Sequence, residues 1–439
     1  MARRRLLRAA TAAGLAFGAP PASAAVLGNP RRVPKLRIGQ VLLQRAPGRR
    51  LTPVAPNAYA PYRGYGATDP VLRVRTAQGL EGIGCCWGPP EALGPLLGLD
   101  PFDLFEWDGD AVRGPAAAHA ALLDRLAGAD VALFDLLGRA IGRPVADLLG
   151  PRARESVAVY DSSLYMEDLL ASRQREGLAY LRGLPPEDPT EMVARKAAWL
   201  LDRPGGVRTF KIKVGRAKWM ESFDAALARD VAVVAAVRRA VGDGAALLVD
   251  GNNGYRPRPL AAAEFGLATA GEDVLAMEEM FDEELTAEAR EVKRRLRAAG
   301  VATKLADGET HPGGIPAGLL AERFTGAGGS VEPLYDIDQP DMNTAGYTRL
   351  MAVARACAGY GITVAPHNFG SKLGFYAQVH AGLATPNWEF SEVDDSAFPA
   401  LRPDGFRLER GRAWLTGTPG LGVTLDETHL DAPLLDLRA

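Results

Sequence analysis

The 439-residue chain has few cysteines, few histidines, almost no net charge and no long apolar run. Only Cys85, Cys86 and Cys357 are present, and adjacent cysteines bridge only with strain, so disulfides are excluded as its framework and the thiols are expected to be buried. With 51 basic and 53 acidic residues the formal charge is -2, which gives no electrostatic reason to expect nucleic acid or an anionic membrane as partner. One apolar stretch, residues 9–19, is too short for a bilayer span of about 20 residues. No other segment is a candidate, so no membrane span is expected.

The N-terminus carries its own signal. Arg3-Arg4-Arg5-Leu6-Leu7-Arg8 precedes that short apolar stretch, and Ala22-Ser23-Ala24 supplies small residues of the kind found at cleavage sites. Residues 1–25 resemble a twin-arginine export signal, which implies a periplasmic or extracellular protein. The length that remains suits a barrel of about 250 residues with a smaller second domain. Residues 35–155 are assigned to an N-terminal cap, 156–398 to the barrel and 399–439 to a tail returning to the cap. In the cap, residues 35–45 and 70–87 read as strands and 116–141 as helix. Residues 46–69, rich in Pro, Gly, Tyr and Arg and without period, read as a mobile lid. Tyr62, Arg63 and Tyr65 of that lid are candidates for contact with the distal end of a substrate. Phe406-Arg407-Leu408 and Trp414-Leu415 read as short tail strands.

From Val157 onward β and α signals alternate. Strands are expected at Val157, Thr209, Ala246, Val274, Thr303, Val331, Thr363 and Asn387, separated by helical stretches of which residues 223–241 show the clearest period. The fold class predicted is α/β, a (β/α)7β TIM-like barrel with an α+β cap built from the N-terminal part and the C-terminal tail. In such barrels the site forms at the C-terminal ends of the strands, so charges closing apolar runs are the informative residues. Asp250 closes Leu247-Leu248-Val249, Glu278 closes Leu275-Ala276-Met277, and Glu309 follows Lys304-Leu305-Ala306-Asp307-Gly308. Three carboxylates without Cys or His select a hard divalent cation, Mg²⁺ in preference to Zn²⁺ or Ca²⁺. Lys211 and Lys213, two apart on one strand, share a face. Beside a cation and a second ammonium, the charged form of such a lysine should be disfavoured, giving a base. His367 ends another apolar strand, and Asp341, one strand earlier, is placed to orient its ring as a second base.

These residues carry a resemblance. Asp130-Val131-Ala132-Leu133-Phe134-Asp135-Leu136-Leu137-Gly138 with Leu148-Leu149-Gly150, and Lys211-x-Lys213, Asp250-x-Asn252, Glu278-Glu279, Gly308-Glu309 and the Asp341/His367 pair, are similar to the enolase superfamily, specifically its mandelate racemase subgroup. Met280 stands where that family usually has proline, and Asn343-Thr344 where it often has paired glycines. The resemblance implies Asp250, Glu278 and Glu309 as Mg²⁺ ligands, Lys213 as one base with Lys211 beside it, and His367 with Asp341 as the other. It also implies Asn252 near the substrate carboxylate and Glu392 as the final-strand acid that bonds it, with Glu389 competing for that role. The activity implied is Mg-dependent removal of the α-proton of a carboxylate to a metal-stabilised enediolate, leading to dehydration of an acid sugar. A racemase or epimerase of a 2-hydroxy acid and a non-catalytic exported carboxylate binder are the alternatives. The expected partners are a small-molecule carboxylate and further copies of the chain in a homo-oligomer.

Overall fold

A long antiparallel hairpin opens the fold: Ile38–Val54 pairs with Gly64–Thr76, which pairs in turn with Glu81–Cys85. The computed structural model describes residues 33–439 except 127, 182–187, 204, 312 and 327–328, so the expected export signal lies outside the described residues. The hairpin corrects the lid expectation, because the ladder continues through Ala46–Asp69 and Arg49–Gly66 and leaves only residues 55–63 as loop. Pro47, Gly48, Gly66 and Pro70 hide the strand pattern in the sequence. Packing against the barrel, through Thr52 N donating to Asp395 Oδ2 at 2.8 Å, holds the strand in place.

The helix expected over residues 116–141 is two helices, Ala120–Arg125 and Asp130–Ile141. They part at Gly128, whose φ of 84° is left-handed and where a Cβ would stand 2.1 Å from the Asn343 carbonyl oxygen. All three cysteines are free and buried.

The second unit is a ten-stranded sheet. Its parallel part runs, neighbour to neighbour, through Ser391–Val393, Val157–Leu164, Thr209–Lys213, Ala246–Asp250, Val274–Glu278, Lys304–Asp307, Ile337–Asp338 and Thr363–Val364. The register sets Lys213 beside Asp250 and Asp250 beside Glu278. At the other edge Val364 makes a single parallel bridge to Trp388, which lies just before the strand Ser391–Val393. Tyr160, Leu248, Ala276, Ala306, Ile337 and Ala365, one from each of six of these strands or the residue just past its end, form an inner apolar cluster. The opposite face, with Phe210, Ile212, Val249 and Leu247, packs into the main core beneath the helices.

Three strand expectations shift. Val331–Pro333 pairs with Arg323–Thr325 in a separate two-stranded sheet, and the sheet strand is Ile337–Asp338. The strand placed at Asn387 lies at Ser391–Val393. In the tail, Phe406–Glu409 and Arg412–Leu415 form a hairpin that pairs with Val157–Leu164 rather than with the cap, while Leu435–Arg438 does return to the cap and pairs with Ile38–Val54. Among the described residues no helix is long and apolar enough to cross a membrane.

His380, to which the sequence gives no role, joins these parts. Its Nδ1 accepts from Ala146 N at 3.0 Å and its Nε2 lies 3.1 Å from the Leu421 carbonyl oxygen, so the neutral ring with Nε2 protonated satisfies both. Burial lowers its pKa from 6.5 to about 4. A depressed histidine contributes stability that is complete above the unfolded value and lost as pH falls through it towards the folded one; at about 1.4 kcal/mol per unit the loss is about 3 kcal/mol. His380→Gln, which does not titrate, should therefore be less stable than the parent at neutral pH, and the gap in urea unfolding should narrow by about 3 kcal/mol by pH 4. A gap independent of pH would contradict this role.

Candidate active site

Apolar strands end in charge at one mouth of the sheet. Lys211 is 1 % exposed, and its Nζ donates to Glu278 Oε1 at 2.7 Å and lies 3.5 Å from Asp250 Oδ2 and 3.4 Å from Glu392 Oε1. Lys213 Nζ pairs with Asp250 Oδ2, and Asp250 Oδ1 accepts from Asn252 N at 2.8 Å. Asp250, Glu278 and Glu309 offer oxygens that all lie within 4.8 Å of one another. Asp250 and Glu278 are the last residues of their strands, whereas Glu309 lies two beyond Asp307, carried into the site by Gly308 at φ 118°.

His367 is on the loop after Thr363–Val364. Its Nδ1 lies 2.6 Å from Asp341 Oδ2 and its Nε2 3.3 Å from Glu309 Oε2. Asp341 is also the N-cap of the helix Met342–Gly359, with Oδ1 accepting from Thr344 N at 2.9 Å. Glu392 Oε2 accepts from Asn368 N at 2.8 Å. Glu389 is taken up elsewhere: Lys304 Nζ, on the first residue of its strand, donates to it at 2.7 Å.

A cavity of about 90 Å³ joins Lys213, Asn252, Glu309 and His367 to Val54, Tyr59, Arg63, Tyr165 and Phe369, so barrel and cap both line it. Tyr62 and Tyr65 pack instead against the apolar cluster of Val54, Tyr165, Leu170 and Tyr180. Four polar residues to which the sequence assigns no role also belong to the site. Gln339 Nε2 donates to Glu278 Oε2 at 2.7 Å; Gln378 Oε1 accepts from Glu392 N at 2.7 Å while its Nε2 donates to the Pro366 carbonyl at 2.8 Å. Asn368 holds Glu392, and buried Glu279 accepts from Asn252 Nδ2 at 3.3 Å. Gln339 follows Ile337–Asp338, a strand the sequence does not reveal, so no sequence signal marks it.

The electrostatics follow from burial and neighbours. Burial would raise Asp250, but the Lys213 and Lys211 ammonium groups outweigh it and hold the carboxyl at about 2. For Glu278 burial dominates over Lys211, and Asp250, Glu309 and Glu392 push it further, to about 8. Burial disfavours charged His367, yet Glu309, Glu392 and Asp341 outweigh it and raise its pKa well above the usual value, which favours the imidazolium. Lys213 departs from expectation. Burial favours its neutral form, but Asp250 in direct contact overrides that and raises its pKa.

The donor set fits a divalent cation. Three carboxylates crowd together, the middle one is pushed towards protonation by its neighbours, and Glu309 Oε2 is buried without a hydrogen-bond partner. Oxygen-only donors on rigid strands suit Mg²⁺. Residues 192–429 match the family model of the enolase C-terminal domain. The chain belongs to the enolase superfamily. It is similar to a D-galactarolactone cycloisomerase of Agrobacterium fabrum, 26% identical over 383 residues covering 82% of this chain and 89% of the relative. A D-galactonate dehydratase family member of Streptomyces sp. is 30% identical over 399 residues, 81% of this chain and 80% of that one. Among solved structures, a galacturonate dehydratase from Geobacillus sp. in complex with D-galacturonate and 5-keto-4-deoxy-D-galacturonate superposes with a TM-score of 0.72 at 26% identity, covering 90% of this chain and 95% of that one. A mutant of a Geobacillus galacturonate dehydratase, complexed with Mg, superposes at 0.73 and 25% identity with the same coverage.

If these acids form a cation site, Glu309→Gln should weaken Mg²⁺ binding on the order of tenfold or more in calorimetric titration, because a formal charge is removed from the donor set. Unchanged affinity would leave the three acids as a cluster neutralised by the lysines alone.

Proposed function

We propose that this enolase-superfamily protein is an acid-sugar dehydratase that uses Mg²⁺ and is exported. The observation that carries the reading is one cavity lined by Lys213, by His367 with its ring against Asp341, and by Glu309 of the three-carboxylate cluster. The names of the relatives, galactonate, galacturonate and galactarate dehydratases among them, support dehydration over racemisation. We read the parallel sheet as a (β/α)7β barrel, a reading supported by the parallel bridge from Val364 to Trp388, just before the strand Ser391–Val393.

An α-proton next to a carboxylate is too weakly acidic for a side-chain base acting alone. Asp250, Glu278 and Glu309 would hold Mg²⁺, which would supply positive charge to the carboxylate as it gains electron density and would offset the Asp250 charge that raises the Lys213 pKa. Lys213 in its neutral form takes the α-proton, and the C–H electron pair moves into the carboxylate to give an enediolate. Lys211, buried beside Glu278 and Glu392, adds a fixed positive charge to that end of the site. His367, held as imidazolium by Asp341 and Glu309, gives its proton to the β-hydroxyl as the C–O bond breaks. Water leaves, and the enol that remains ketonises to a 2-keto-3-deoxy acid. Asn252, with Nδ2 on Glu279 and Oδ1 buried without a partner, is positioned to accept from a substrate hydroxyl.

Incubation with a panel of acid sugars should show loss of water from at least one. Lys213→Ala should abolish both dehydration and exchange of the α-hydrogen with deuterated solvent, whereas His367→Asn should abolish dehydration and retain exchange. Dehydration by both variants would refute the assignment of the bases; inversion at the α-carbon without loss of water would make the protein an epimerase.

Export rests on the paired arginines and the small residues at Ala22-Ser23-Ala24. Changing Arg3, Arg4 and Arg5 to lysine should leave active, uncleaved protein in the cytoplasm, with mature chain starting near Ala25 outside the inner membrane in the unmodified case. Fractionation that finds only full-length cytoplasmic chain would remove export and leave the barrel chemistry untouched.

A further inference from the structure

The cavity is lined by two chemically different sets of residues. Lys213, His367 and Glu309 belong to the mouth of the sheet, and Tyr59 and Arg63 to the loop of the cap hairpin. Arg63 adds a guanidinium to the lining, and no carboxylate partner is found for it among the described residues. Its neighbour Arg50 is committed, with Nη2 3.2 Å from Asp394 Oδ2 and Nη1 donating to the Gly66 carbonyl at 2.6 Å. Arg63 instead has its guanidinium carbon 6.0 Å from the centroid of the Tyr59 ring and 5.9 Å from that of Phe369. Ring contacts of this kind engage the face of a guanidinium and leave its edge N–H groups free, the geometry that takes a carboxylate in two parallel hydrogen bonds.

Phe369 lies two residues beyond His367, a chain step of at most about 7 Å. Arg63 and the proton-transfer groups thus line one cavity, with Phe369 in contact with Arg63 and close in the chain to His367. Resting on the acid-sugar reading above, we propose that Arg63 binds a second, distal carboxylate, so that the preferred substrates are sugar diacids rather than sugar monoacids. The first carboxylate belongs with Lys213 and the strand-end acids, and Arg63 is the one arginine of the lining, the remaining cap residues there, Val54, Ala55, Asn57, Tyr59 and Ala60, carrying no charge. Because Arg63 is exposed, solvent weakens the pairing, and discrimination of about tenfold is expected rather than the hundredfold of a buried fork.

The test compares galactarate with D-galactonate, which differ only in the oxidation state of the distal carbon, on Mg²⁺-loaded protein. The parent should prefer the diacid in kcat/KM. In Arg63→Gln the diacid-to-monoacid ratio should fall about tenfold, mainly through KM for the diacid since the contact is remote from the reacting carbon. Arg63→Lys should restore part of the ratio, and added salt should erode the parent's preference. A ratio unchanged in Arg63→Gln, or a parent that prefers the monoacid, would overturn the proposal while leaving dehydration intact. If neither compound is turned over, the dehydratase reading fails for this pair and calorimetric affinities decide the present point: tighter galactarate binding lost in Arg63→Gln upholds it, equal affinities overturn it.

Discussion

One buried ammonium makes the rest of the site possible. Lys211 Nζ is within 3.5 Å of Asp250, Glu278 and Glu392 and stands 5.2 Å from the centre of the Tyr160 ring. Bringing that many carboxylates out of water costs several kcal/mol per ion unless each is paired. Lys211 reaches all three because the sheet beneath is lined by Ala276, Ala306 and Ala365, small enough to leave space under the mouth for a long side chain. The alternate residues of its strand, Phe210 and Ile212, face the helices and are fully buried, so the strand cannot slip by one residue without exchanging its lysines for core.

A second set of buried acids ties the cap together and to its neighbours by accepting backbone N–H groups: Asp69 and Asp130 reach across the seam to the sheet unit, and Asp135 joins a cap strand to the C-terminal segment. Asp69 of the cap hairpin takes Lys372 N at 2.8 Å, Leu373 N at 3.0 Å and Ser371 Oγ at 2.8 Å at the start of the helix Lys372–Ala384. Asp130 takes Tyr347 N at 3.0 Å and Thr348 N at 2.7 Å; Asp135 takes Leu421 N at 2.6 Å and Ile83 N at 2.7 Å. Burial raises the pKa of all three, and the hydrogen bonds work against it. Helix starts are where such acceptors are best placed. The seam matters to function because residues 55–63, which close the cavity, hang from the hairpin that Asp69 anchors.

The strand-end acids are readable in the sequence because an alternating β/α pattern buries its apolar runs, and a charge closing such a run must then lie at the sheet's mouth. Asp250 and Glu278 are of this kind, and so is the Lys211 and Lys213 pair. Elements held in place by tertiary contact alone are not legible in this way. Ile337–Asp338 has two residues and no period to detect, so Val331, with its stronger local propensity, draws the strand assignment away from it. The hairpin beyond Ala46 carries three prolines, Pro47, Pro53 and Pro70, and is held by its pairing and by its contacts to Asp394 and Asp395. Single acids such as Asp69, and amides such as Gln339 and Gln378, look like any polar residue until their partners, distant in sequence, are known.

Glu309 shows how a loop can be as well placed as a strand. Between it and the next sheet strand the chain makes a short excursion, and Asp338, fully buried at the end of Ile337–Asp338, ties it back by accepting from Ile315 N at 2.8 Å, with Cys357 Sγ at 3.2 Å. The fit is tight, since a Cβ at Gly308 or Gly314 would fall 2.4 Å from Asp338 Oδ1. The same segment is pinned at two further points: Thr310 Oγ1 donates to Glu279 Oε1 at 3.1 Å, and His311 Nε2 lies 2.5 Å from Glu283 Oε1. Glu309 itself makes no hydrogen bond through Oε2. Its backbone is thus fixed by neighbours on both sides while its carboxylate has no hydrogen-bond donor on Oε2, only the His367 ring 3.3 Å away, which is what a cation ligand on a loop requires, since the ordering has been done before the ion arrives.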